Sequence, residues 1–191
     1  MLIVCIRSKD TMSTNQEQKH KAMVEKLRQR DSVIRGMYLT NVSSLESLVR
    51  DIIAIHFCTP GTDEKRQQFI SILLNIYLPR ASIIDLMAKI ISNDYPDLLK
   101  EYPRLFEDLH RINEYSAWLY SAGLDTSSSY LDSAELDDTI RLTYYDQNGG
   151  KRQKDITNEE IEERLSDCSN IHFALEDIRS EIRDRILTSI K

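Results

Sequence analysis

The 191-residue sequence has few residues that interrupt a helix, since it contains only five glycines and four prolines. No apolar run approaches the roughly 20 residues that a membrane-spanning helix needs. The apolar stretch at residues 2–6 is too short for the core of a signal peptide, and Arg7 follows it at once. We therefore expect a soluble, cytoplasmic and mostly helical protein that does not associate with a membrane.

Cysteine and positive charge are also scarce. Cys5, Cys58 and Cys168 are odd in number and far apart, which argues against a disulfide framework and a zinc site. The chain carries 25 Lys and Arg against 31 Asp and Glu, a net charge of −6. Phosphate binding needs clustered basic residues, so this balance argues against a surface that coats nucleic acid but allows a small basic site. We expect no metal and no cofactor.

The chain length supports one well-buried core. Hydrophobic residues make up 41% and charged residues 29% of the chain, as in ordinary globular domains. We expect a single helical domain over residues 15–191 and a flexible or optional extension over residues 1–14, because Met12 resembles a second start. A short terminal strand or a loose tail is the alternative for this extension.

Apolar residues at spacings of three and four predict a bundle of helices. Capping boxes at Ser43–Glu46 and Thr157–Glu160 mark two helix starts, and Thr62 and Ser82 are predicted to open two others. The narrow apolar stripe that follows Thr157 requires a partner, which is either the bundle itself or a second chain. The predicted helices cover residues 16–35, 43–58, 62–78, 83–91, a turn or two from 94, 103–123 and 157–190, with a connector at 36–41 and a left-handed C-cap at Gly123.

The one β signal lies before the last helix. Residues 139–145 alternate, residues 148–150 (Asn-Gly-Gly) form a turn, and residues 151–156 return as a second strand. Residues 125–138 are rich in Ser and Asp and predict a surface loop. The fold class is therefore all-α, a helical bundle with a possible small β-hairpin before the last long helix.

The helix at residues 103–123 carries an anomaly. At about 100° per residue, one face holds apolar residues and the opposite face holds Glu107, Arg111, Glu114 and Trp118. Leaving a tryptophan in water forgoes roughly 2 kcal/mol. Three alternatives are open for Trp118. Another segment of the chain covers it, a second subunit covers it, or it is exposed or lines a ligand pocket. The apolar face consists of Leu105, Leu109, Ile112 and Leu119, with Ser116 between them.

The stretch Asn113-Glu114-Tyr115-Ser116-Ala117-Trp118 resembles the Arg-Asn-x-x-Ala-His motif of the HEPN superfamily of nucleotide-binding proteins and ribonucleases. Ala117 agrees with the motif, whereas Asn113, Glu114 and Trp118 replace its arginine, asparagine and histidine. Arg111 would serve as a shifted arginine, because six residues separate it from position 118 and the family's motif has four to six residues between the arginine and the histidine. The order of elements and the segments 83–90 and 156–161 are also similar, and the resemblance covers roughly residues 42–182.

In active relatives, metal-free RNA cleavage uses the histidine to move protons and the arginine to steady the phosphate. Indole does no acid–base work at neutral pH, and Asn113 carries no charge. The resemblance therefore implies a non-catalytic relative that acts by binding, with links to bacterial toxin–antitoxin or defence systems. It implies a homodimer whose surface binds a partner protein or, with less support, RNA or a nucleotide. The degenerate-motif surface comprises Arg111, Asn113, Glu114, Ala117 and Trp118.

Two other functions stay open. The first is an active ribonuclease in which His110 is a relocated base beside Arg111. The second is an unrelated helical regulator. The remaining candidates predict ordinary structure: His56 packs near a helix end, His20 and His172 lack neighbours at metal-ligand spacing, and the acidic pairs and the basic hairpin tip are solvated. These pairs are Asp137-Asp138 and Glu159-Glu160, and the tip is Lys151, Arg152 and Lys154.

Overall fold

In the computed structural model, residues 7–58, 61–133, 139–146 and 148–189 are described; they form seven α-helices, a π-helical segment and a three-stranded antiparallel sheet. This confirms the all-α class with a small hairpin before the last long helix. In chain order the elements are α1 (Arg7–Phe57), α2 (Asp63–Phe69), the π-helical segment (Ile70–Tyr77), α3 (Arg80–Asp94), α4 (Leu98–Glu101), α5 (Leu105–Ser121), β1 (Gly123–Leu124), α6 (Ser128–Ser133), β2 (Thr139–Tyr145), β3 (Lys151–Thr157) and α7 (Asn158–Ser189).

Helix α1 is continuous over 51 residues, so the connector predicted at residues 36–41 is wrong. Gly36 costs a helix roughly 1 kcal/mol relative to alanine. Tyr38, two residues later, is fully buried, and the buried Ile34 and Val42 lie one turn away on either side. Packing on this apolar side outweighs the glycine. The Ser43 capping box is wrong for the same reason, because Ser43 lies inside α1, where its carbonyl accepts a hydrogen bond from Ser47 Oγ at 3.0 Å.

The two predicted helices that follow are shifted at their ends. Thr62 occupies the N-cap position of α2, but its side chain makes no cap hydrogen bond, and the helix becomes π-helical from Ile70. Helix α3 begins at Arg80, directly after the extended Pro79, and not at Ser82. Its centre is buried as expected, at Ile83, Ile84, Met87, Ile90 and Ile91.

Gly123 does not cap α5. Among the described residues, positive φ values occur only at Gly61 and Gly149, and Gly123 lies in β1, where it pairs with Thr143. The hairpin prediction is confirmed: β2 pairs with β3, and Gly149 has a φ of +76° in the connecting turn. The buried side chains of the sheet are Ile140, Leu142 and Ile156, which all point to one face.

The predicted surface loop at residues 125–138 is wrong where the structure describes it. Asp125 is buried and accepts hydrogen bonds from the Ser127 amide at 2.9 Å and from Gln153 Nε2 at 2.8 Å. Helix α6 follows and buries Tyr130 and Leu131. Asp137-Asp138 lies outside the described residues, so its interpretation as solvated charge stays a prediction.

The chain divides into two compact units. The first consists of the described residues up to Met37 and of Leu119–Glu162, and it contains the sheet and α6; the second consists of Tyr38–Trp118 and the residues from Glu163 onward, and it contains α2, α3 and α4. Among the described helices, none is long and apolar enough to cross a membrane. The predicted extension over residues 1–14 stays a prediction, and its first six residues lie outside the described ranges.

Candidate interaction surface on α5

Helix α5 has the two faces that its sequence predicts. The apolar residues named above, together with Ser116, are each less than 5% exposed, whereas Arg111, Glu114 and Ala117 are exposed. Trp118 and Asn113 are half-buried. The degenerate-motif surface is therefore accessible in this chain, apart from the covered part of the indole and of Asn113.

Arg111 is engaged by carboxylates. Its Nη2 atom lies 3.0 Å from Asp108 Oδ1 on the same helix and 3.2 Å from Asp167 Oδ2 on α7. These two negative charges compete with any phosphate that approaches the guanidinium. The shifted arginine thus contributes to the contact between α5 and α7.

Trp118 stands at the outer end of an aromatic stack. Its ring centroid lies 5.2 Å from that of Tyr115, and Tyr115 in turn meets the buried Tyr38 of α1 edge-on at 5.1 Å. The guanidinium of Arg164, on α7, lies 4.7 Å from the Tyr115 centroid. Tyr115, one turn earlier on the same helix, therefore covers part of Trp118, and the indole is half-buried.

Beneath this stack lie two groups that titrate only at high pH. Tyr38 Oη donates a hydrogen bond to the Ile112 carbonyl at 3.4 Å, and burial raises the pKa of this phenol well above its usual value. Burial also raises the pKa of the Cys168 thiol to about 11. Both groups stay protonated near neutral pH, so neither acts there as a base or a nucleophile.

His110 and Arg111 bond to different helices. His110 Nε2 lies 3.1 Å from Asp85 Oδ1 on α3, whereas Arg111 bonds toward α7. Consecutive residues of a helix point about 100° apart, and this explains the divergence. The histidine–carboxylate pair is partly exposed and is the one feature of α5 that resembles an acid–base group.

The other histidines have structural surroundings. His56 Nδ1 lies 3.2 Å from Tyr95 Oη, and its Nε2 lies 3.5 Å from Asp94. Arg50, which is separated from His56 by five residues, pairs with Glu46 at 3.4 Å. His172 contacts the ring of Phe173 edge-on, and His20 is exposed on α1. Within the described residues, no group of three or more His, Cys, Asp or Glu side chains is placed to hold a metal ion.

The basic hairpin tip is largely paired. Arg152 Nε lies 2.8 Å from Asp146, and Lys154 Nζ lies 2.6 Å from Glu160, while Lys151 is exposed. Thr157 has the predicted capping role, because its Oγ1 accepts a hydrogen bond from the backbone N–H of Glu160 at 3.1 Å. These contacts favour a structural role for most of the tip.

Sequence reasoning missed the contact between Tyr115 and Trp118 and the residues that approach α5 from other helices. The i, i+3 spacing places Tyr115 and Trp118 side by side on a helix, so this contact was recoverable from the sequence. Tyr38, Arg164 and Asp167 come from other helices, and only tertiary packing brings them to α5.

Comparison of the chain with protein-family models, with curated proteins and with solved structures finds no match. The HEPN resemblance therefore rests on the residues quoted for it.

Proposed function

We propose that this chain is a non-catalytic interaction protein of HEPN-like descent that forms a homodimer through the outer surface of α5. The observation that carries the proposal is Trp118: a large aromatic side chain stands where the family has its histidine, half-covered by Tyr115 and next to the exposed Ala117. Tryptophan and arginine are the residues that most often dominate protein–protein interfaces. A small neighbour such as Ala117 leaves space for a second helix to approach.

The surroundings of Arg111 support the non-catalytic part of the proposal. The arginine already pairs with Asp108 and Asp167, and the proton-carrying side chains beneath it are buried and protonated near neutral pH. General acid–base catalysis contributes about 10²–10⁴-fold to a rate, so a site without a suitable proton donor loses most of its activity.

Two-fold symmetry gives this surface a self-complementary geometry. Arg111 and Trp118 are seven residues apart and lie within about 20° of each other around α5. If two α5 helices cross antiparallel midway between these positions, each Arg111 lies beside Trp118 of the partner subunit. A guanidinium over an indole ring contributes roughly 0.5–2 kcal/mol, and the symmetry forms this contact twice.

Light scattering tests the dimer. The wild-type chain should have twice the monomer mass of 22.2 kDa. Ala117→Arg should give a folded monomer, because position 117 is exposed and the added side chain blocks only an approaching helix. Ser180→Arg, an equivalent change at an exposed position of α7, should leave the dimer intact. A wild-type monomer, or an Ala117→Arg dimer, contradicts the proposal.

The His110–Asp85 pair supports a second candidate, an active ribonuclease with a relocated base. A carboxylate that orients a histidine is a common arrangement for a general base. Purified chain would be incubated with RNA in EDTA, beside His110→Ala, Arg111→Ala and the control His20→Ala. This candidate would be established if the wild type and the His20→Ala control cleave RNA and both α5 variants do not. If the wild type does not cleave RNA, the candidate is excluded.

A further inference from the structure

The N-terminal part of α1 is a helix with little covering. Residues 16–22 are all exposed, Met23 and Val24 are half-buried, and the first buried side chain among the described residues of α1 is Leu27. Extending an already packed helix by further turns costs little free energy, because the unfavourable nucleation step has already taken place. Favourable i, i+4 spacing of Glu17 and Lys21 also stabilises these turns. This segment, residues 16–30, is called the basic arm below.

The basic arm reverses the charge balance of the chain. It contains five Lys and Arg residues and two Glu residues, whereas the other 176 residues contain 20 Lys and Arg and 29 Asp and Glu. A local excess of positive charge in an acidic protein attracts a polyanion to that one place. The basic residues of the arm are Lys19, Lys21, Lys26, Arg28 and Arg30.

The basic residues form two rows, called the rails below, along opposite sides of the helix. At 100° per residue, Lys19, Lys26 and Arg30 lie within about 40° on one side of the helix. Lys21 and Arg28 lie within about 20° on the opposite side. Arg30 is half-buried and donates to Asn158 Oδ1 at 2.5 Å. The exposed basic residues of the two rails are Lys19, Lys21, Lys26 and Arg28. Between the rails, on the side away from Leu27, lie Gln18, Ala22, Glu25 and Gln29.

We propose that the basic arm binds duplex DNA, with the two rails on the phosphates that border the major groove. An α-helix is about 10–12 Å wide, and the major groove of B-form DNA is about 12 Å wide, so the arm fits between the two backbones. Phosphate contacts carry little sequence information, so binding has low sequence specificity. This activity is separate from the α5 surface and does not depend on it.

Two other polyanions fit the arm less well. The major groove of duplex RNA is deep and narrow and does not admit a helix. A helix that lies in a membrane surface needs a broad apolar face. In the arm, the large apolar residues Met23, Val24 and Leu27 are half-buried or buried within the chain, which leaves no such face exposed.

The test measures the fluorescence anisotropy of a labelled duplex of roughly 20 base pairs, two turns of B-form DNA, titrated with the full chain. The arm variant is Lys19→Gln/Lys21→Gln/Arg28→Gln. The control variant Lys65→Gln/Lys89→Gln/Lys100→Gln removes the same charge from α2, α3 and α4. Circular dichroism checks that both variants keep their helix content.

The wild type and the control should bind DNA with similar affinity, and the arm variant should bind at least about tenfold more weakly at low salt. The slope of log K against log salt should also be less steep for the arm variant, by about 0.9 for each lost phosphate contact. The proposal is overturned if the wild type does not bind, or if both variants lose affinity equally. Equal or tighter binding to duplex RNA, or binding to anionic lipid vesicles in place of DNA, overturns it as well.

Discussion

Arg111 of α5 and Asp167 of α7 form an ion pair, with 3.2 Å between Nη2 and Oδ2. In the sequence, Arg111 is the residue closest to the arginine of the family motif. In the structure it joins two helices, and Asp108 holds it from a second side. The same helix pair carries the contact of Arg164 with Tyr115, on which Trp118 packs. The residues that resemble a degenerate active site therefore belong to the contact between α5 and α7.

The Arg111–Asp167 pair should contribute modestly to stability. Both side chains are partly exposed, so a double-mutant cycle with Arg111→Ala and Asp167→Ala should give a coupling free energy of about 0.2–1 kcal/mol in urea unfolding. The same cycle on Arg104 and Glu107, which are more exposed, should give a smaller value. A coupling of zero for the first pair would show that it does not join the helices.

Gly36→Ala should stabilise the protein by about 0.5–1 kcal/mol, because Gly36 lies inside α1 and an added Cβ meets nothing within 4 Å. Gly149→Ala should instead destabilise it by about 1 kcal/mol, since Gly149 has a φ of +76°. Chemical unfolding of both variants measures the difference. A loss of stability in Gly36→Ala would contradict the continuous helix.

Stability should fall as the pH rises above 9. The unfolded Cys168 thiol has a pKa near 9.0 and burial raises the folded value to about 11, so the unfolded chain releases its proton first. The contribution of this group is complete below pH 9 and is lost as the pH approaches 11. The raised pKa of Tyr38 acts in the same direction at higher pH. Cys168→Ala should show a shallower decline over this window, and an unchanged decline would contradict the assignment.

Acid should weaken the contact between Asp97 and α7. Both Asp97 oxygens accept hydrogen bonds from Arg185, at 3.0 and 2.6 Å, and this lowers the pKa of Asp97 from 3.8 to about 2. The stabilisation is present above pH 3.8 and is lost as the pH falls toward 2. The free energy of unfolding of Asp97→Asn should therefore depend less on pH in that window than that of Asp184→Asn, a control that removes a charge from α7 itself. Identical profiles would argue against the pair.

Local periodicity was sufficient to predict several elements. The faces of α5 and the β-hairpin follow from local spacings and turn residues, and these are properties of neighbouring residues. The apolar stripe of α7 followed in the same way and is buried at Cys168, Leu175 and Ile182.

Other elements depend on distant contacts. Gly36 favours a break by local propensity, and only the burial of Tyr38 shows that α1 continues. Strand β1 has two residues, too few to alternate, and exists because Gly123 and Leu124 pair with β2. At the α5 surface, the sequence identified Arg111 and Trp118, but Asp167, which pairs with Arg111, lies on α7.

Trp118 is the single tryptophan of the chain, so its fluorescence reports directly on the proposed dimer surface. Emission would be recorded over dilutions from roughly 100 μM to 10 nM, a range that spans ordinary dimer affinities. We expect the wild-type emission maximum to move to longer wavelength on dilution, because the partner subunit leaves the indole. Ala117→Arg should have the maximum of the diluted wild type at every concentration. A wild-type spectrum that stays the same at every concentration and coincides with that of Ala117→Arg would contradict the claim that this surface binds a second copy.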